Sequence, residues 1–339
     1  MELAKMQETA RAIVAPGKGI LAADESGGTI KKRFDSIGVE STEENRRNYR
    51  EMLFRADVSD YVSGVILFDE TIRQNAADGT SLVKLLEGQG IIPGIKVDAG
   101  AKALAGAPGE KVTEGLDGLR ERLEEYRGLG ARFAKWRAVI DIGGGIPTEY
   151  AIRANAHALA RYAALCQEAG IVPIVEPEVM MEGDHTIERS YDATERTLQA
   201  VYDELFRQRI ELTGTLLKPN MVLSGYDCKQ QASVDEVAEA TLRCFNANVP
   251  AAVPGIVFLS GGQSDETATA HLDAMNKRGP HPWELSFSYG RALQAPALKA
   301  WKGDQANVAA GQSAYSHRSK MNSLARAGQY SPKLEKESV

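Results

Sequence analysis

The sequence predicts an α/β fold, a (β/α)8 TIM barrel with extra N-terminal and C-terminal helices. Short apolar runs alternate with longer amphipathic segments, as expected for a parallel sheet whose strands are buried on both faces. Eight such strands are the number that closes a barrel of this kind. The predicted strands are 19–24, 64–68, 92–97, 132–140, 171–177, 214–219, 255–261 and 284–290.

Helices are indicated between the strands by apolar residues at helical spacing. In the segment 233–249, Ser233 is a predicted N-cap, and Glu236 three residues later completes a capping box. The segment 152–170 ends in a glycine, which favours a helix C-terminus. Further helical patterns occupy 193–210 and 305–327, the second of them outside the barrel.

A doubly wound open sheet is the alternative fold. It would favour a glycine-rich nucleotide turn, G-x-G-x-x-G, after the first strand. The chain has GILAADESGG at 19–28, which does not match that pattern. We therefore predict one barrel domain at 1–330, followed by a short polar tail at 331–339.

Composition narrows the classes of partner. Of 339 residues, 43% are hydrophobic, which is enough for a large core, and the net charge of −6 argues against a general nucleic-acid or anionic-membrane binder. No stretch approaches the roughly 18 apolar residues of a membrane span, and the charged start lacks a signal core. The three cysteines show no metal spacing, as expected in a reducing compartment. We predict a cytoplasmic protein that binds neither nucleic acid nor membrane.

Polar residues stand near the carboxyl ends of nearly all predicted strands. In a barrel of this type the active site lies at that end. Any single residue has a structural explanation, such as a helix cap at Asp24 or a lysine at position 96 that reaches the rim. Their shared position nevertheless favours a site. These residues are Asp24, Lys96, Lys135, Arg137, Glu176, Glu178, Lys218, Ser260 and Ser288.

Lys218 is the most informative of them. It lies in the apolar run GTLLKP, where an uncompensated charge would be costly. A neutral amine in a pocket can attack a ketone or aldehyde and form a Schiff base. Glu176 and Glu178 point to one face of an extended run, and Glu176 suits the dehydration step. Lys135 is a candidate second cation, and Asp24 a candidate base. A buried charge network without catalysis is the structural alternative.

The sequence also predicts phosphate binding at two places. The run LSGGQS ends a strand in glycines and opens a helix, whose free backbone N–H groups can hold an anion. Arg291 follows the eighth strand and suits bidentate phosphate contact. A cationic group near the first strand predicts a second anion site, on the opposite side of Lys218. The predicted substrate-binding residues are Ser260, Gly261, Gly262, Gly290 and Arg291 for the first site, Ser26, Thr29, Lys32, Arg33 and Lys96 for the second, and, without assignment to either site, Ser288 and Arg137.

Seven motifs resemble the class I (Schiff-base) fructose-bisphosphate aldolases: GILAADES, GIKVD, FAKWR, VPIVEPE, LLKPNMV, FLSGGQS and SFSYGRALQ. They occur in the family's order, from about residue 5 to residue 330. The resemblance implies a (β/α)8 barrel, usually a homotetramer, that acts in glycolysis and gluconeogenesis. It implies reversible cleavage of fructose 1,6-bisphosphate to dihydroxyacetone phosphate and glyceraldehyde 3-phosphate, without a metal or other cofactor.

The resemblance also implies roles for single residues. Lys218 resembles the Schiff-base lysine, Glu176 the dehydration acid/base, and Asp24 the residue that assists C–C cleavage. Lys135 and Glu178 resemble its supporting charges, with an arginine at 137 nearby. The positions that resemble the 1-phosphate site are Ser260, Gly261, Gly290 and Arg291, and those that resemble the opposite phosphate site are Ser26, Thr29, Arg33 and Lys96.

The sequence departs from the family pattern in two places. Thr29 stands where a serine is usual, a change that keeps the hydroxyl. Many members end in a tyrosine that helps proton transfer at the enamine, whereas this sequence ends Glu337-Ser338-Val339 and its last tyrosine is Tyr330. We do not assign that role to Tyr330. We expect another group or water to move the proton, or the enamine step to be slower.

The sequence leaves two competing functions. A metal-dependent aldolase or isomerase would need histidine and carboxylate ligands at strand ends. The five histidines lie in helical or loop-like stretches, and none pairs at ligand spacing. A non-catalytic binding protein on an inactivated barrel would be expected to lack Lys218 or Glu176, and the sequence has both.

Overall fold

The computed structural model describes residues 2–336 and confirms the predicted barrel. Its strands are β1 (Gly19–Ala23), β2 (Val62–Leu67), β3 (Ile92–Lys96), β4 (Ala101–Ala103), β5 (Lys111–Thr113), β6 (Phe133–Ile140), β7 (Val172–Val179), β8 (Leu216–Leu217), β9 (Gly255–Phe258) and β10 (Glu284–Tyr289). Eight parallel strands close in the order β1-β2-β3-β6-β7-β8-β9-β10, and β10 pairs with β1. Strands β4 and β5 form a separate antiparallel hairpin between β3 and β6.

Helices surround the barrel and occupy most of the connections between its strands. They are α1 (Glu2–Ile13), α2 (Gly27–Asp35), α3 (Glu43–Phe54), α4 (Asp69–Ile72), α5 (Leu82–Gly88), α6 (Leu119–Gly128), α7 (Glu149–Glu168), α8 (Ile187–Arg207), α9 (Val234–Asn248), α10 (Asp265–Asn276), α11 (Arg291–Trp301) and α12 (Val308–Arg326). Within the described residues, 2–336, no helix is long and apolar enough to cross a membrane.

The barrel interior is layered along each strand. In β7, Val172 and Ile174 pack inside the barrel, and Glu176 and Glu178 follow on the same face, where they line a cavity. Strand β6 repeats the pattern, from Phe133 at its start to charged residues further on. Because side chains alternate between the faces of a strand, a period of two carries β6 and β7 from an apolar lower layer to a charged upper layer.

Helix α1 closes the lower end of the barrel. Its buried residues Met6, Ala10 and Ile13 recur at helical spacing and pack against the interior side chains Ile20 and Leu216. The predicted extra N-terminal helix is therefore confirmed. It removes apolar surface from water at the end of the barrel opposite the charged layer.

Two predictions of local structure can be compared directly with the fold. The capping box of α9 is present, since the Ser233 hydroxyl accepts from the Glu236 N–H and the Glu236 carboxylate accepts from the Ser233 N–H. The strand predicted at 214–219 is shorter, Leu216–Leu217, although the Lys218 N–H still donates to the carbonyl of Val175 at 2.8 Å. The strand ends there because Pro219 has no N–H to donate.

The C-terminal region begins and ends close to its predicted bounds. The helix predicted at 305–327 is a short 3-10 turn followed by α12. In the predicted tail, Glu335 accepts hydrogen bonds from the buried Arg318 and from the Tyr330 hydroxyl, so residues 331–336 are tied to α12. The remainder of the predicted tail, 337–339, lies outside the described residues.

Candidate active site

A cavity of about 380 Å³ opens at the carboxyl ends of the barrel strands. Polar side chains from the strand ends and the loops after them converge on it. It is lined by fifteen of the predicted site residues, namely Asp24, Ser26, Thr29, Arg33, Lys96, Lys135, Arg137, Glu176, Glu178, Lys218, Ser260, Gly261, Ser288, Gly290 and Arg291. Gly262 does not line it, and Lys32 is exposed on α2 outside it.

Positive and negative charges alternate at the centre of the cavity. The Lys218 Nζ lies 3.3 Å from Glu176 Oε1, and the Lys135 Nζ lies 3.0 Å from Glu176 Oε2. Lys135 also donates to Asp24 Oδ2 at 2.8 Å. Lys135, Glu176 and Lys218 are all at most 5% exposed. Each buried charge thus has an opposite charge beside it, which is the condition under which burial is tolerable.

The charges set the protonation of two of these groups. Burial raises the pKa of Asp24, but Lys135 and Lys218 outweigh it and hold that pKa well below its usual value. Burial lowers the pKa of Lys135, but Asp24 and Glu176 outweigh it and hold that pKa above its usual value. Asp24 is therefore a carboxylate and Lys135 an ammonium at neutral pH.

Beside this centre, the buried Glu178 pairs with Arg137, whose side chain is 38% exposed. The Arg137 Nε donates to Glu178 Oε2, on the neighbouring strands β6 and β7. Glu178 is 5% exposed. Burial lowers the pKa of Arg137, but the negative charges of Glu178 and Glu176 outweigh burial and hold that pKa above its usual value. The guanidinium therefore stays charged. Glu176 and Glu178, which share one face of β7, are therefore paired with different cations.

The structure places the two predicted phosphate sites closer together than the sequence suggested. Strands β1 and β10 are neighbours, and a side chain added at Gly290 would meet the Arg33 Nη2 at 3.4 Å. Arg33, on α2, therefore stands on the same side of the cavity as Gly290 and Arg291. Lys96 is across the barrel, because its strand β3 is four strands away from β9, which leads to Ser260.

Two further carboxylates line the cavity and were not predicted. Asp98 pairs with Lys96 at 3.1 Å and accepts from the N–H of Arg137 at 3.2 Å. Glu25 is 7% exposed and accepts from Arg33 and, at 2.7 Å, from the Gln294 amide. Asp98 follows Lys96 by two residues, a spacing that could have indicated it. Glu25 directly follows Asp24, so strand alternation gave no signal for it.

Gly262 uses its backbone N–H elsewhere. That N–H donates to the Tyr226 hydroxyl at 2.9 Å, instead of facing the cavity. Ser260 and Gly261, which precede it in the same turn, do line the cavity. Gly261 has a positive φ of +64°, a backbone conformation that favours glycine.

The buried His271 is connected to this turn through hydrogen bonds of Gln263. The His271 Nδ1 lies 2.6 Å from Gln263 Oε1, and the Gln263 amide donates to the Ser260 carbonyl at 3.1 Å. Burial lowers the pKa of His271 from 6.5 to about 4. Since the ring accepts no proton there at neutral pH, its Nδ1–H is available to Gln263 as a fixed donor.

This histidine predicts a pH dependence of stability. Between pH 6.5 and about 4 the unfolded chain binds a proton at His271 that the folded chain does not bind. The free energy of unfolding is therefore expected to fall as the pH falls through this window, by about 3 kcal/mol in total. Urea unfolding at several pH values measures it. His271→Gln is expected to flatten this part of the profile, and His157→Gln, at an exposed position, is expected to leave it unchanged; equal slopes in the wild type and His271→Gln would contradict the assignment.

Metal binding would require a particular arrangement of ligand side chains among the described residues. Within residues 2–336, no group of three or more His, Cys, Asp or Glu side chains is arranged to hold a metal ion. The carboxylates at the cavity are instead paired with lysine and arginine side chains.

The fold and the cavity together define the class of the protein: a barrel enzyme whose buried lysine, set against a carboxylate, is arranged for Schiff-base chemistry on a carbonyl. The family model described as fructose-bisphosphate aldolase class-I matches residues 5–339. The chain belongs to this family.

Curated relatives and a solved structure agree with that assignment. The chain is 60% identical over 332 residues to the probable fructose-bisphosphate aldolase class 1 of Xanthomonas campestris pv. campestris, covering 97% of this chain and 99% of that one. It is 55% identical over 333 residues to fructose-bisphosphate aldolase 1 of Toxoplasma gondii, covering 97% and 92%. A solved structure of fructose-bisphosphate aldolase from Plasmodium falciparum, in complex with TRAP and a small molecule inhibitor, is similar with a TM-score of 0.96 and 48% identity, covering 97% and 96%.

The family defines the reaction. The protein is a metal-independent lyase that reversibly cleaves fructose 1,6-bisphosphate to dihydroxyacetone phosphate and glyceraldehyde 3-phosphate. The predicted function is thereby confirmed, and the metal-dependent and non-catalytic alternatives are not supported.

Proposed function

We propose that Lys218 is the nucleophile of this reaction and Glu176 its acid/base. The observation that carries the assignment is the position of Glu176, 3.3 Å from the Lys218 amine and 3.0 Å from Lys135. Glu176 takes a proton from the Lys218 ammonium, and the neutral amine attacks the C2 ketone and forms a carbinolamine. Glu176 donates a proton to the departing hydroxyl, which leaves as water, and the protonated Schiff base remains.

Asp24 is the proposed base for carbon–carbon cleavage. It takes the proton of the C4 hydroxyl, the C3–C4 bond breaks, and the electron pair moves into the iminium to form an enamine. Glyceraldehyde 3-phosphate leaves as the aldehyde. Protonation of the enamine at C3 and hydrolysis of the Schiff base then release dihydroxyacetone phosphate. Lys135 supports the step because it holds Asp24 in its ionised form at 2.8 Å.

Two groups of residues are proposed to hold the substrate phosphates. The 1-phosphate is assigned to Ser260, Gly261, Gly290 and Arg291, where α11 begins directly after Gly290 and offers free N–H groups. Lys96, Ser26 and Thr29 are assigned to the other phosphate. Arg33 stands beside Gly290, which supports a contact of Arg33 with the 1-phosphate. Arg137, Glu178 and Ser288 are assigned to the sugar between the phosphates.

The proton donor to the enamine is proposed to be Glu176 or water, and not Tyr330. The Tyr330 hydroxyl donates to Glu335 Oε1 at 2.9 Å and does not line the cavity. Because that hydroxyl is already committed, a role at C3 would require the contact to break. The buried Glu176 is next to the nitrogen of the intermediate and needs no such movement.

Borohydride reduction tests the nucleophile directly. In the presence of dihydroxyacetone phosphate we expect a stable secondary amine on Lys218, and peptide mass mapping locates it. EDTA is expected to leave activity intact. Adduct formation at another lysine, or loss of activity in EDTA that Zn²⁺ restores, would contradict the proposal.

We further propose that the protein assembles as a homotetramer in the cytoplasm. The large apolar side chain Phe206 is 84% exposed and Tyr150 is 52% exposed, as expected of surface that another subunit can cover. Sedimentation is expected to give a tetramer, and Phe206→Glu to shift it towards smaller species at the same protein concentration. A monomeric wild type would contradict the tetramer. A Phe206→Glu variant with the same molecular mass in solution as the wild type would contradict the proposed position of the interface.

A further inference from the structure

Tyr226 connects three loops at the carboxyl ends of consecutive strands. It lies after β8, and its backbone N–H donates to the carbonyl of Met181, in the loop after β7, at 3.0 Å. Its hydroxyl accepts from the Gly262 N–H at 2.9 Å, in the turn after β9, and donates to the Met181 Sδ at 3.2 Å. The one hydroxyl is therefore used as both acceptor and donor.

The turn formed by Ser260, Gly261 and Gly262 has almost no room to move on this side. A side-chain carbon added at Gly261 would lie 2.4 Å from the Met181 Sδ, and one added at Gly262 would lie 2.7 Å from a Tyr226 ring carbon. Such distances are well inside van der Waals contact, so both glycines pack directly against these two side chains.

The contact with Tyr226 decides which N–H groups of the turn are free. The Gly262 N–H points to Tyr226 and away from the cavity, whereas Ser260 and Gly261 line the cavity. Without an acceptor at Tyr226 the Gly262 N–H would lack a partner, and the turn could rotate to find one.

We propose that Tyr226 is a positioning residue for phosphate binding: its hydroxyl holds the Gly262 N–H, so that Ser260 and Gly261 face one phosphate of the substrate. The inference rests on the proposed function, which assigns the 1-phosphate, the phosphate of dihydroxyacetone phosphate, to these residues. Tyr226 itself contacts no substrate in this arrangement.

The charge state of Tyr226 fits this role. Burial and the nearby Glu182 raise its pKa, and Arg291 offsets part of that rise. The hydroxyl is therefore neutral at physiological pH. A phenolate so near the turn would repel a phosphate and could not donate to the Met181 sulfur.

The test is Tyr226→Phe, which removes one hydroxyl at a side chain that is 39% exposed. In the condensation direction we expect the KM for dihydroxyacetone phosphate to rise about 3- to 10-fold, as for the loss of one hydrogen bond. The KM for glyceraldehyde 3-phosphate and kcat are expected to stay within about twofold, because the hydrogen bonds of Tyr226 go to Met181 and Gly262 and not to the opposite phosphate site or the charged side chains around Lys218.

Two companion variants sharpen the result. Met181→Leu removes the sulfur acceptor but keeps the packing, and is expected to raise the same KM by a smaller factor. The combined effect with Tyr226→Phe should be less than additive, because both act through one hydroxyl. The matched control is Tyr150→Phe, which removes the hydroxyl of an exposed tyrosine bonded to the Ala105 carbonyl at 3.2 Å. It is expected to leave both KM values unchanged.

An equal rise of both KM values, no rise in either, or a loss of kcat alone would overturn the role of Tyr226. If Tyr226→Phe does not fold, Met181→Leu tests the proposal in its place: a rise in the KM for dihydroxyacetone phosphate alone supports it, and an equal rise in both KM values or no rise contradicts it. Borohydride trapping of the wild type separates this question from the proposed function. If borohydride labels Lys218 of the wild type but Tyr226→Phe does not raise the KM for dihydroxyacetone phosphate selectively, only the role of Tyr226 is contradicted. If borohydride does not label Lys218 of the wild type, the proposed function is contradicted.

Discussion

Lys218→Met is expected to abolish cleavage of fructose 1,6-bisphosphate, lowering kcat by about 10⁴-fold or more, as for removal of other covalent nucleophiles. Methionine has a similar length, so it fills the apolar part of the space that the lysine occupies. The variant cannot form a Schiff base. Steady-state cleavage and borohydride trapping with dihydroxyacetone phosphate measure both consequences.

The fold of Lys218→Met is expected to survive, which makes the loss of activity interpretable. Glu176 keeps the Lys135 ammonium at 3.0 Å when Lys218 is removed, so no carboxylate is left without a cation. Urea unfolding should therefore change much less than for removal of Lys135. Residual activity close to that of the wild type in a folded variant would exclude Lys218 as the nucleophile.

Lys135→Met is expected to reduce both activity and stability. Lys135 lies between Asp24 at 2.8 Å and Glu176 at 3.0 Å, so its removal takes a cation from two carboxylates whose side chains are only 11% and 3% exposed. Breaking a buried ion pair in this way costs about 3–5 kcal/mol of unfolding free energy. Loss of an electrostatic group at the reacting atoms lowers kcat by about 100- to 1,000-fold.

The pH profile separates this electrostatic effect from a simple packing defect. As the pH falls below about 4, protonation of the carboxylates removes the unpaired negative charge, so the stability deficit of Lys135→Met is expected to shrink. The control is Lys31→Met on α2, whose pair with Asp35 is exposed and should contribute little. A deficit that stays constant as the pH falls from 7 to about 3 would show that lost packing, and not charge, explains the variant.

Strand alternation explains why so much of the site was predictable. A residue near the end of a barrel strand has two possible faces, and apolar residues two and four positions earlier identify the inward one. Ile174 before Glu176 and Leu216 before Lys218 follow this rule. Together with the position of active sites in such barrels, it predicted the charged layer from local sequence.

Positions around the barrel could not be predicted in the same way. The sequence suggested Lys135 as a second cation near Lys218, but it did not show that Lys135 would pair with both Asp24 and Glu176. Arg33 was expected opposite the glycine turns and stands beside Gly290. Both results depend on which strands are neighbours in the closed barrel. The first strand pairs with the last, a contact between residues far apart in the sequence that local patterns do not reveal.

Hydrogen-bond direction was likewise outside the reach of the sequence. The turn at Ser260 was predicted from its glycines, but the orientation of the Gly262 N–H depends on Tyr226, 36 residues earlier in the chain. Glu25 is a further case, since it is held by Gln294 from the far end of the chain. Neither Tyr226 nor Gln294 could be identified as a partner from the sequence around Gly262 or Glu25.

Residue type and strand period were sufficient to predict the barrel, the buried lysine and the carboxylates that belong with it, because a period of two and the cost of burying an unpaired charge act within a few residues. Tertiary structure alone decided which cation pairs with which carboxylate, and that the Gly262 N–H in the turn after β9 donates to Tyr226. Those choices depend on distances of about 3 Å between segments that meet only when the barrel closes, where Coulomb energy and hydrogen bonding change steeply with separation.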